Sequence, residues 1–135
     1  MIVTIILQAA LWLWFLGCTT TYRIGKYTLV EGMGIKSAEF VTLCVYSIGL
    51  ILFYLLPVGK WILLAILIFW FVVQFFCHWY YTIFGATERK SKGYNDCFRN
   101  TVHIFPISET RIIPDLYHIV QHTLILLNII VCLTH

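Results

Sequence analysis

Four long apolar runs, separated by one very short and two longer polar breaks, dominate the hydrophobic pattern of this chain. A membrane-crossing helix needs about 20 mainly apolar residues. The runs Ile2 to Cys18, Phe40 to Pro57, Trp61 to Gly85 and Pro114 to Leu133 meet or nearly meet that length. The pattern therefore predicts an all-α integral membrane four-helix bundle, with residues 1–135 forming a single transmembrane domain. In the first run, Trp12 and Trp14 are candidate interfacial anchors. No Lys or Arg precedes Arg23, so the run reads as a retained helix and not as a cleaved secretion signal.

The breaks differ in kind. Only Val58-Gly59-Lys60 separates the second and third runs, which forces an antiparallel hairpin. The break from Thr19 to Ala38 carries Gly25, Gly32 and Gly34, and its Tyr27-Thr28-Leu29-Val30 stretch reads as a short strand or an interfacial turn. The break from Ala86 to Ile113 is the longest and most polar and is expected to be a loop. At the fourth run, Pro114 suits the first position of a helix, and Asp115 sets a carboxylate against the positive helix end.

Charge adds an orientation. Arg23, Lys26 and Lys36 lie in the first loop, and Arg89, Lys90, Lys92, Arg99 and Arg111 in the third, against Lys60 alone in the second. Cytoplasmic loops retain Lys and Arg, so the first and third loops are expected in the cytoplasm and both termini on the non-cytoplasmic side. A prokaryotic plasma membrane is the expected location. Hydrophobic residues make up 61% of the chain and charged residues 11%, a balance that needs lipid around it and argues against a nucleic-acid partner. The five cysteines lie mostly inside apolar runs and contain no C-x-x-C, so they do not read as a disulfide framework.

Candidate chemistry comes from polar residues inside the apolar runs, since such residues usually face the bundle interior. Glu39, Thr42, Tyr46 and Gly49 follow one face of the second helix, and Gln74, Cys77, His78 and Tyr81 share a face near the end of the third. Asp115, His118 and His122 share a face at the start of the fourth, which also carries Gln121 and Asn128. Counting along the helices puts His78 about 10 Å from its helix end, and His118 and His122 about 6 and 12 Å beyond Pro114. These depths match, so Glu39, His78, Asp115, His118 and His122 are expected to share one pocket in the cytoplasmic half of the membrane.

Several uses of such a pocket stay open. His118 and His122 are candidate catalytic bases, oriented by Asp115 or Glu39, because the unperturbed histidine pKa lies near neutrality. Arg89, Lys90, Lys92, Arg99 and Arg111, with Tyr46 and Tyr81, are candidates for holding a small or lipid-linked anionic substrate. His78, His118 and His122 are also candidate ligands of a divalent transition metal or a haem. A proton- or metal-linked transporter or channel, built as a homo-oligomer, is the alternative class. The bland reading is that these residues only hydrogen-bond between helices. No catalytic signature such as H-E-x-x-H, and no glycine-rich phosphate cradle, narrows the choice.

Overall fold

The computed structural model describes residues 2–134. It is mostly helical. In chain order come α1 (Ile2–Phe15) with a 3-10 turn over Leu16–Cys18, strands β1 (Tyr22–Ile24) and β2 (Tyr27–Val30), and α2 (Ala38–Leu55). Then follow α3 (Gly59–Phe84), α4 (Glu88–Cys97) and α5 (Leu116–Thr134). Helices α2, α3 and α5 are long and apolar enough to cross a membrane, and α1 with its 3-10 turn is shorter. These helices mark the chain as a membrane protein: their outer faces expose side chains such as Leu55, Phe69, Ile48 and Leu133, which only lipid would cover.

Helix α1 packs against α2 and α5, and α3 packs against α2 and α5. The shared interior holds Leu11, Phe15, Leu43, Tyr46, Leu63, Leu67, Trp70, Tyr117 and Ile125. Polar groups join the helices where they meet. The indole N–H of Trp12 donates to Ser47 Oγ at 2.8 Å, and that of Trp14 to the Tyr117 carbonyl at 3.1 Å. Both tryptophans are thus interhelical donors, a role their interfacial spacing did not suggest. Along the α1–α5 seam, Asn128 Nδ2 donates to the carbonyls of Leu7 and Leu124, and between α2 and α1 Tyr54 donates to Gln8 Oε1 at 2.5 Å.

Each helix start and stop has a local cause. Ser37 caps α2 by accepting from the Phe40 N–H, and Leu56 is extended because it precedes Pro57. The chain then turns so tightly that Gly59 lies against the backbone of Leu52 and Phe53, where a Cβ would collide. Helix α3 ends at Gly85, whose φ of 85° is open to glycine and strained for other residues. The guanidinium of Arg111 covers that end, donating to the carbonyls of Thr82 at 2.9 Å and Ile83 at 3.5 Å. Helix α5 begins at Leu116, two residues later than the Pro114 start expected, because Asp115 is its cap and accepts the His118 N–H at 3.0 Å.

The two long breaks are more ordered than their polarity predicts. Tyr27–Val30 pairs antiparallel with Tyr22–Ile24, and the presumed third loop contains α4, capped by Thr87 accepting from the Lys90 N–H. The two segments meet at one end of the molecule, through a bridge between Thr28 and Thr101 and a hydrogen bond from Asn100 to Glu31. Together they roof the helices.

The hairpin turn gives a stability test. Gly59→Ala is expected to destabilise by about 1–3 kcal/mol through overpacking against Leu52. Gly93→Ala, inside α4 with nothing within 4 Å of the added Cβ, should stabilise by roughly 0.5–1 kcal/mol. Thermal unfolding midpoints of the detergent-purified variants would show the two moving in opposite directions.

Candidate functional site

Beneath the roof lies a cavity of about 450 Å³. Its floor and walls come from Phe15 and Cys18 on α1, Ala38, Glu39 and Thr42 on α2, and Trp70, Val73, Gln74, Cys77 and His78 on α3. His118 of α5 closes one side, and Val30, Glu31, Met33, Cys97, Phe98 and Thr101 supply the roof.

The wall formed by His118 is the chemically informative one. Asp115 is fully buried, and its Oδ1 accepts both the His118 N–H at 3.0 Å and the His118 imidazole, whose Nδ1 lies at 2.6 Å. One carboxylate oxygen thereby caps α5 and fixes the first histidine of that helix. Burial by itself would push the Asp115 carboxyl up, but the hydrogen bond and charge of His118 outweigh it and hold the group below the ordinary carboxylate range. With a carboxylate on Nδ1, that nitrogen carries the hydrogen, and in the neutral imidazole Nε2 keeps a free lone pair.

The His78 ring stacks against the His118 ring, with centroids 4.0 Å apart and planes 31° apart. Over residues Phe75–Trp79 the helix widens into a π-helical turn, a feature often found at functional sites. It holds His78 inward, about 9 Å before the helix ends at Phe84. The other side of His78 meets α4, where Nδ1 is 2.5 Å from the Tyr94 hydroxyl. Burial, and next the Asp115 charge, push the Tyr94 phenol up. The protonated phenol and His78 Nδ1 share that hydrogen bond. Phe98 sets its edge against both imidazoles. The result is a continuous array: Asp115, His118, His78, Tyr94.

Of the residues expected to converge, the structure brings Glu39, His78 and His118 to the cavity wall and places Asp115 directly behind His118. His122 is not there. One turn further along α5 its ring packs on Phe71 at 4.2 Å and on Trp79 at 5.9 Å. Tyr46 is buried in the helix interior, with its hydroxyl donating to the Gln8 carbonyl at 3.3 Å. Tyr81 lies under the Lys90 ammonium, 3.9 Å from its ring centroid. Neither tyrosine lines the cavity.

None of the expected anion-holding cations lines it either. Arg89, Lys90 and Arg99 are exposed, Lys92 sits beside Glu88, Asp96 and Glu109 at a separate shallow depression, and Arg111 is committed to the end of α3. Helix α4 explains this: its inner face is Ser91, Tyr94 and Phe98, so its cations point away. The lining residues that carry a full charge are Glu31 and Glu39.

Among the described residues no three His, Cys, Asp or Glu side chains are arranged to hold a metal ion. His122 is turned onto aromatic rings, away from His78 and His118. Two axial haem ligands must point nitrogens at each other across the porphyrin plane, and rings stacked at 4.0 Å leave no plane between them.

Sequence reasoning missed Tyr94, Phe98, Thr101 and Trp70. The signal for the first two was present as Ser91, Tyr94 and Phe98 at steps of three and four behind the Thr87 cap, but Gly93 and the density of polar residues hid it. Compared with known proteins, the chain matches no family model, no curated protein and no solved structure.

Because the Asp115 carboxyl is held below its ordinary value, its contribution is fully present above the unfolded carboxylate pKa of about 4 and lost as pH falls through the depressed value. Asp115→Asn retains a capping oxygen and loses the charge-assisted bond, so it should destabilise by about 1–3 kcal/mol at pH 7. Unfolding midpoints measured from pH 7 down to pH 3 would show the gap to wild type narrowing below about pH 4.

Proposed function

We propose that this is a four-helix integral membrane protein with a ligand-binding cavity at its cytoplasmic end, in which His118, oriented by Asp115, exchanges a proton with the bound molecule. The observation that carries the reading is the Asp115–His118 hydrogen bond at 2.6 Å on the wall of a 450 Å³ cavity. A cavity of this size holds one small molecule. A carboxylate that fixes the tautomer of a histidine leaves the opposite nitrogen as an acid–base group, the arrangement used by hydrolytic triads without any implication of their reaction here. His78 lines the cavity beside His118, and Tyr94, behind the cavity wall, holds the His78 ring through its Nδ1. His122 takes a packing role in this reading, and the loop cations serve orientation.

Topology is part of the proposal. All four long helices cross the bilayer, with both termini outside and the roof in the cytoplasm. The charge bias of the loops supports it, as does the meeting of the first and third connections at one end. In intact cells a membrane-impermeant maleimide should label Lys60→Cys, and should reach the exposed Cys97 only after permeabilisation. Labelling of Cys97 in intact cells would reverse the orientation.

One observation favours proton movement across the membrane as a second reading. Thr4 Oγ1, Gln8 Nε2, Gln121 Nε2 and Asn128 Oδ1 are buried along the α1–α5 seam with no partner among the described residues. Leu11 and Ile125, both fully buried, interrupt that seam. The cavity at one end is therefore the better account.

The acid–base role has a direct chemical test. Diethyl pyrocarbonate acylates imidazole nitrogen that has a free lone pair, so His118 should be modified through Nε2. Asp115→Asn should slow that modification at least about tenfold, since it removes the group that fixes the ring and its tautomer. Mass-spectrometric mapping of modified histidines over time reads the rate. An unchanged rate at His118 in the variant would sink the acid–base reading.

A further inference from the structure

The charge and exposed lining of the cavity narrow the ligand further. The exposed residues that also line the cavity are Glu31, Met33 and Cys97 on the roof, Ala38 on α2, and Val73 and Cys77 on α3. Val73 is about 16 Å from the end of α3 at Phe84, inside the apolar stretch of that helix. At the far end α2 and α3 are locked together at Gly59, whereas at this end both line the cavity. The exposed lining thus reaches from the roof to the outer surfaces of α2 and α3.

Inside, Phe15, Trp70, Val73 and Phe98 provide apolar and aromatic surface. Full charge is supplied by Glu31, beside the roof, and by Glu39, in the first turn of α2, where a carboxylate is favoured by the helix end. No Lys or Arg lines the wall. An anionic head would meet two carboxylates without a counter-charge. A cationic head would meet those carboxylates and the faces of Trp70 and Phe98.

We propose that the cavity takes a single-chain amphiphile with an amine head group, admitted laterally from the bilayer between α2 and α3. The head lies between Glu39 and the His118–His78 wall, and the chain lies along Trp70 and Val73. The proposal rests on the reading of the cavity as a ligand site. The ammonium hydrogen is what His118 would accept, but binding itself depends on the carboxylates and the apolar wall.

Tryptophan fluorescence of the full chain in an uncharged detergent tests it, because Trp70 lines the site. The probes are a dodecylamine and a dodecanoic acid, each brominated on the chain so that contact quenches. The amine should quench saturably, and the acid should bind at least about tenfold more weakly. Trp70→Phe should remove the saturable component. Glu31→Gln/Glu39→Gln should weaken the amine about tenfold in a protein that still unfolds cooperatively. Equal or tighter binding of the acid, or amine quenching that persists in Trp70→Phe, overturns the proposal; so does absence of saturable quenching in folded wild type. If His118 modification depends on Asp115 but the amine does not bind, the ligand class is wrong and the acid–base reading stands. If the amine binds saturably and that modification is independent of Asp115, the ligand class stands and the acid–base reading fails.

Discussion

A buried carboxylate is costly unless it is hydrogen-bonded, and Asp115 shows how much structure that requirement organises. The group has no exposure, so leaving its charge unmatched would cost several kcal/mol. It is matched by the first turn of α5 and by the imidazole of His118, through a single oxygen. The cap fixes where α5 begins. The imidazole fixes how His118 meets the cavity, and the stacked His78 follows from that placement, since its own turn of α3 widens to reach it. Tyr94 then closes the array from α4, which ties the roof to the helices below.

The rest of the interior obeys the same constraint in weaker form. Lipid offers no hydrogen bonds, so polar side chains on spanning helices seek one another or a backbone carbonyl. Trp12 reaches Ser47, Trp14 reaches the Tyr117 carbonyl, Asn128 reaches Leu7, and Tyr54 reaches Gln8. Such bonds hold α1 against its neighbours although it is the shortest of the long apolar helices. The cavity stands apart because its polar groups face an open volume.

The absence of cations from that volume changes the chemistry inferred from the chain. Five basic residues close in sequence to the site looked like an anion trap, yet α4 is amphipathic and turns its aromatic face inward. Cations on the outer face of a surface helix reach headgroups and water. Carboxylates on the roof and on the first turn of α2 reach the cavity instead. The same loop thus contributes hydrogen bonding and aromatic walls to the site and keeps its charge on the outer surface.

What the sequence determined by itself follows from hydrophobic periodicity and spacing, which are local. The four apolar runs, the tight turn at Val58-Gly59-Lys60, the strand at Tyr27–Val30 and the shared face of Asp115 and His118 were all legible, because each depends on residues a few positions apart. The matching depth of His78 and His118 was legible too, since helical rise converts counting into distance. Only the tertiary structure decided which of the candidates meet. His122, four residues from His118, is turned by a single helical step onto Phe71 and Trp79, and Tyr46 is enclosed by α1 and α3. Tyr94 enters the site from a segment whose polarity concealed a helix. Helix phase is fixed by packing against neighbours distant in sequence, and a shift of one residue turns a side chain by about 100°, so the partners of each histidine could be set only by the folded chain.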